Sequence, residues 1–188
     1  MTARRLSQAI AEGDGISVLV EVGDAPAARI AEGAGAEGLV VRFVAAELRA
    51  QTSLPVLAYG PGPDAAAGAA DAVVLSAEGD TLHQLVDRCY ELGVEVVVRV
   101  RDDEELERVF EHVDPEIVLL SAERADDEQE HRERLLELLP DVPAGKLAIA
   151  ELANASRGDV EELERAGVDA VLVTGDVAAL VGDGVPDV

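Results

Sequence analysis

Glu21, Arg99 and Glu151 each stand near the end of a short apolar run, in ISVLVEV, VEVVVRV and KLAIAEL. Runs of this length and β-branched character read as buried strands, each bringing one charged side chain to its solvent edge. Two carboxylates and an arginine gathered in one place could move protons or hold a small polar molecule. Paired carboxylates are also the equipment of glycoside hydrolysis. An arginine between them would keep both ionised, however, leaving no acid for that reaction. Two readings remain. One is a polar pocket for a small acid or zwitterion; the other is an internal ion-pair network in which buried charges satisfy one another.

The elements that position these residues repeat along the chain. Strand candidates fall at 16–22, 38–42, 55–59, 72–76, 94–100, 116–121, 146–151 and 169–174. Between them lie stretches whose apolar residues recur at spacings of three and four, as in Leu82, Leu85, Val86, Cys89 and Leu92. Strands alternating with single helices imply parallel strands joined by right-handed crossovers. Eight such units predict one closed (β/α)8 TIM barrel over residues 1–188, of near-minimal length, with an extra N-terminal helix at 2–12. An open doubly wound sheet is the alternative. Within VEVVVRVR, Val94, Val96, Val98 and Val100 form one face and Glu95, Val97, Arg99 and Arg101 the other. The valine face belongs against helices, so Arg99 is expected inside the barrel near its C-terminal mouth. The same alternation turns Ser17, Leu19 and Glu21 inward, and likewise Leu147, Ile149 and Glu151. Arg42, Tyr59, Arg101 and Ser121 complete the expected mouth pocket.

Composition narrows the function classes. The net charge of −24 argues against nucleic acid and anionic membranes, which both require a cationic surface. No apolar run reaches the ~20 residues of a membrane span. The first residues, MTARRLSQAIAEGDG, lack the apolar segment of a signal peptide, so a cytoplasmic monomer is expected. The one cysteine, Cys89, lies on a helix's apolar stripe and reads as buried and inert. His83, His112 and His131 fall in helix patterns of the outer ring, and no spacing suggests a metal or cofactor site. GPGPD at 60–64 is a turn, lacking the lysine of a phosphate loop. The chain holds fourteen arginines but one lysine, Lys146, so lysine-dependent chemistry must use that residue.

Four segments resemble the indole-3-glycerol phosphate synthase family: RRLSQAIAEGDGISVLVEV, SLPVLAY, GVEVVVRVRDDEELERVF and LAIAELANASRGDVEELERAGVDAVLVTGD. They are similar to that family's pre-barrel helix and first strand, its third strand, its fifth strand and helix, and its closing strands. The resemblance implies a TIM barrel that closes an indole ring on a phosphorylated anthranilate derivative, with a lysine as general acid and glutamates assisting. Carried over by position, Glu21 and Glu151 match family glutamates, while the family's lysines fall on Gly23 and Tyr59. A family glutamate falls on Arg99, the asparagine on Ser121 and the substrate-binding serine on Leu152. The phosphate site is reduced to Asn154, Thr174 and Gly175, with Ala153 in place of a glycine and Asp176 placed to cap the last helix. The family's long first loop shortens to GDAPA. Lys146 is no substitute. It precedes Glu151 by five residues, roughly 17 Å along a strand, toward the opposite end of the barrel. The resemblance therefore implies common ancestry with the ring-closing chemistry lost, and a diverged enzyme or a small-acid or partner-binding barrel are the alternatives.

Overall fold

The computed structural model describes residues 5–13, 15–43, 46–79, 81–121, 128–175, 177 and 180. Eight parallel strands close in chain order: β1 (Ser17–Glu21), β2 (Gly38–Val41), β3 (Val56–Tyr59), β4 (Ala72–Ser76), β5 (Glu95–Val100), β6 (Ile117–Leu120), β7 (Leu147–Leu152) and β8 (Ala170–Val173). β8 pairs with β1, which closes the barrel and excludes the open sheet. Helix α1 (Leu6–Ala11) precedes β1, and seven helices follow the first seven strands: α2 (Ala25–Gly33), α3 (Ala46–Arg49), α4 (Pro63–Ala66), α5 (Leu82–Leu92), α6 (Asp103–His112), α7 (Glu128–Leu138) and α8 (Arg157–Ala166). Of residues 176–182, where the last helix would fall, only Val177 and Leu180 lie within the described residues, and its expected cap Asp176 lies outside them.

Strand alternation divides the core in two. Leu19, Val40, Leu57, Val74, Val97, Leu119, Ile149 and Leu172, one from each strand, fill the interior. Val94, Val96, Val98 and Val100 belong to the larger layer between sheet and helices. With only 2% aromatic residues, the core is built from Val, Leu, Ile and Ala, the branched side chains that pack well within a barrel.

Local signals set the helix ends. Asp24 and Asp102 accept from the amides of Ala27 and Glu105, capping α2 and α6. Ser156 and Asp159 form a reciprocal capping box at α8. Gly93 and Gly167 end α5 and α8 at φ 69° and 99°, where a side chain would be strained.

The N-terminal end of the barrel is plugged by α1, whose Leu6 and Ile10 join the interior cluster. Glu95, at the start of β5, accepts from the Leu6 amide at 2.6 Å and the Ser7 hydroxyl at 2.5 Å. A β-carbon on Gly38 would stand 2.6 Å from Leu19 Cδ2 and 3.6 Å from Leu6 Cδ1, so a larger residue there would displace the Leu19 side chain beneath the plug. Two aspartates close the strand ends in parallel ways. Asp71 and Asp169, each just before an even-numbered strand, accept from the first or second amide of the preceding strand, Val56 and Ala148, both at 2.8 Å. Lys146 belongs to this end as well, with Nζ 2.7 Å from Asp114 Oδ1. No helix among the described residues is long and apolar enough to cross a membrane.

Candidate functional site at the barrel mouth

At the C-terminal end, every interior-facing row finishes on a polar residue. In strand order these are Glu21, Arg42, Tyr59, Ser76, Arg99, Ser121, Glu151 and Thr174. A polar ring over an aliphatic core is where barrels of this architecture place their sites.

Five of the eight form one hydrogen-bonded chain. Arg42 Nε donates to Glu21 Oε2 at 3.0 Å, and Arg42 Nη2 reaches Glu151 Oε1 at 3.4 Å. The Arg42 guanidinium also lies over the Tyr59 ring, 3.8 Å from its centroid. The Tyr59 hydroxyl donates to Glu151 Oε2 at 3.2 Å and accepts from Arg99 Nη1 at 3.0 Å. Partial burial works against the charge of Arg42, but the hydrogen bond and charge of Glu21, with Tyr59 and Glu151, outweigh it and raise its pKa. Arg42 is thus a fixed cation shared by two carboxylates. Of the two arginines of the ring, it is Arg42 that pairs with Glu151. Arg99 joins the chain through the Tyr59 hydroxyl alone and makes no ion pair among the described residues.

Arg101 does not join the ring. The strand ends at Val100, so the alternation no longer fixes the next side chain. Its amide donates to Glu105 Oε2 at 2.9 Å, and its guanidinium pairs with Glu105 and Glu78 on the rim. Ser121 closes the sixth row, its amide donating to the Val100 carbonyl at 2.9 Å.

The region that resembles a reduced phosphate site is occupied by the protein's own contacts. Thr174 donates through both its amide and its hydroxyl to the Ala153 carbonyl, at 3.1 and 2.5 Å. Asn154 Nδ2 donates to Glu128 Oε1 at 3.2 Å. At the start of α8 the Ser156 amide donates to Asp159, and Asp159 in turn pairs with Arg132. Gly175 has φ 148°. Over the first strand, three residues (22–24) link β1 to α2, too few to form a cover.

Ser76 was not singled out from sequence, and His131 was expected only as a helix residue of the outer ring. Ser76 is the inward end of β4, and the alternation of AVVLS could have found it. His131 Nε2 donates to the Glu151 carbonyl at 3.1 Å, bracing the end of β7 from α7, a contact without a local sequence signal. Cys89 is fully buried, and burial pushes its thiol up to about 11, as expected of an inert packing residue. Among the described residues, no group of three or more His, Cys, Asp or Glu side chains is placed to hold a metal ion.

No family model matches the chain. Sequence relatives named indole-3-glycerol phosphate synthase match parts of it. The protein from Geobacillus sp. (strain WCH70) is 30% identical over 107 residues, covering 55% of this chain and 42% of that protein. The one from Geobacillus kaustophilus (strain HTA426) is 33% identical over 107 residues, with the same coverage. The one from Shouchella clausii (strain KSM-K16) is 29% identical over 137 residues, covering 68% and 54%. The chain thus spans about half the length of the curated relatives it matches. Among solved structures, N-acetylmannosamine-6-phosphate 2-epimerase from Clostridium perfringens superposes with a TM-score of 0.68 at 15% identity, covering 87% of this chain and 88% of that one. Thiamine phosphate pyrophosphorylase from Pyrococcus furiosus gives 0.68 at 16% identity, with the same coverage. At such identities the likeness is one of fold.

Proposed function

We propose that this is an indole-3-glycerol phosphate synthase-like barrel that does not close the indole ring and instead binds a small acid or zwitterion at its mouth. The observation that carries this reading is the position of Lys146, the only lysine, held by Asp114 at the end of the barrel away from the polar ring. The ring's cations are arginines, which do not release a proton near neutral pH. Its two carboxylates share Arg42. A site of this kind holds charge in place and is poorly equipped for proton transfer.

The retention of Glu21 and Glu151, together with the partial similarity to three proteins of that name, favours a second reading, a diverged enzyme of the same reaction. One assay separates the two. Purified protein is mixed with the family's phosphorylated anthranilate substrate, and indole fluorescence is followed for wild type and Glu151→Gln. No turnover is expected from either. Wild-type turnover abolished by the substitution would establish the second reading. In parallel, thermal shift against small carboxylic and amino acids should reveal the ligand class, because a ligand at 100 times its Kd stabilises by about 2.7 kcal/mol.

A further inference from the structure

We infer that the polar ring is divided into two subsites of opposite charge: Arg99, Ser76 and Ser121 take a carboxylate, and the Glu21–Arg42–Glu151 side takes an ammonium group. The ligand class is therefore a small amino acid with a single carboxylate, not a phosphate ester. The inference rests on the mouth being a binding site, as proposed above.

The carboxylate side is defined by unused donors. Arg99 gives one N–H to the Tyr59 hydroxyl at 3.0 Å, and its other guanidinium donors have no partner among the described residues. Ser76 is its register partner on β4. The Ser76 oxygen accepts from the Glu78 amide at 3.3 Å, which leaves its own O–H to donate. Ser121 lies two residues beyond Leu119, the partner of Arg99 on β6, and its hydroxyl makes no hydrogen bond among the described residues. A planar guanidinium fork, with a serine at the end of each neighbouring strand, suits a planar carboxylate.

Charge sets the other half. Two glutamates share one arginine on the β1, β2 and β7 side, leaving one formal negative charge there against the positive charge of Arg99. Tyr59 bridges the two halves, 3.0 Å from Arg99 and 3.2 Å from Glu151. A zwitterion aligned along that bridge meets an opposite charge at each end. A phosphate dianion would instead face the rim carboxylates Glu78, Asp102 and Glu105 around the Arg99 side, with Arg101 already neutralised by two of them.

The test is an NMR titration of wild type, Arg99→Gln and the double variant Ser76→Ala/Ser121→Ala with β-alanine, propionate, propylamine and inorganic phosphate. Wild type should bind β-alanine more tightly than propionate, propylamine or phosphate. Arg99→Gln should weaken β-alanine and propionate by about tenfold or more and leave propylamine unweakened. The serine variant, which keeps every charge, should weaken both acids by a smaller factor. Phosphate binding more tightly than β-alanine would overturn the division, as would β-alanine binding unchanged in both variants. Failure of every acid to bind wild type would remove the proposed function along with it. Ring-closing turnover alongside Arg99-dependent binding of β-alanine would remove the proposed function alone.

Discussion

The Arg42 guanidinium lies over Tyr59, its Cζ 3.8 Å from the ring centroid, while its nitrogens reach the carboxylates of Glu21 and Glu151 at 3.0 and 3.4 Å. Three strands that are far apart in sequence, β1, β3 and β7, are thereby tied to the end of β2. Replacing Arg42 with methionine keeps much of the side-chain volume but leaves two carboxylates without their shared cation. The arginine side chain is 44% exposed, so solvent screening reduces the effect; a loss of about 1 kcal/mol is expected. Urea denaturation of wild type and Arg42→Met should show it, and the difference should shrink as salt rises. Equal stability at low salt would mean that the network holds nothing together.

Glu95 acts at the other end, as a distant cap for α1. It accepts from the Leu6 amide and the Ser7 hydroxyl, so Glu95→Ala leaves a part-buried donor without a partner. The expected cost is about 1–3 kcal/mol. Hydrogen exchange should locate it, with the amides of α1 exchanging faster than those of β5. Uniform acceleration across the barrel would instead assign Glu95 to the sheet itself.

Much of this architecture is legible in the sequence because a half-buried strand writes its orientation into alternate residues. Val94, Val96, Val98 and Val100 face the helices, while Val97 and Arg99 face the interior and its mouth, as their alternation requires. Where alternation stops, so does the inference: Arg101 follows the last residue of β5 and turns to Glu105 and Glu78. Which arginine Glu151 meets depends on barrel closure, which no local pattern encodes. The same holds for His131, whose partner is a carbonyl twenty residues away, and for Asp71 and Asp169, whose acceptor roles need the inter-strand register.

Asp71 should also give the stability curve a recognisable pH dependence. Burial raises its pKa above the ordinary 3.8, opposed by the Val56 amide and Arg49 and assisted by the charge of Glu95. A carboxyl with a raised folded pKa favours the folded state when protonated. Its contribution is complete below the ordinary value and is lost as pH rises through the raised one. The substitution Asp71→Asn keeps an acceptor for the Val56 amide and removes the ionisation. The stability of Asp71→Asn relative to wild type should therefore increase as pH rises from below 3.8 toward neutrality, then level off. Urea midpoints across that range provide the measurement, and a relative decrease would show that the pairing with Arg49 outweighs burial.

On the proposed reading, in which the chain does not close the indole ring, rebuilding the charged residues of indole-3-glycerol phosphate synthases should not be enough to give it that activity. A lysine at Gly23 has room, since a β-carbon there meets nothing within 4 Å. A lysine at Tyr59 and a glutamate at Arg99 would return the remaining charges, but they would also remove the bridge between Arg99 and Glu151. General acid catalysis contributes about 10²–10⁴-fold only when substrate is correctly placed. Placement depends on parts that these substitutions leave unchanged. The Ala153 carbonyl remains bonded to Thr174, the start of α8 remains capped by Ser156 and Asp159, and residues 22–24 remain too short to shield the mouth. An open site admits water and weakens the electrostatic contacts that would stabilise the transition state. The variant Gly23→Lys/Tyr59→Lys/Arg99→Glu is expected to fold, by circular dichroism, and to give no indole fluorescence above background. Turnover in that variant would show that catalytic side chains alone limit the reaction, and that the rest of the barrel is still competent to place the substrate.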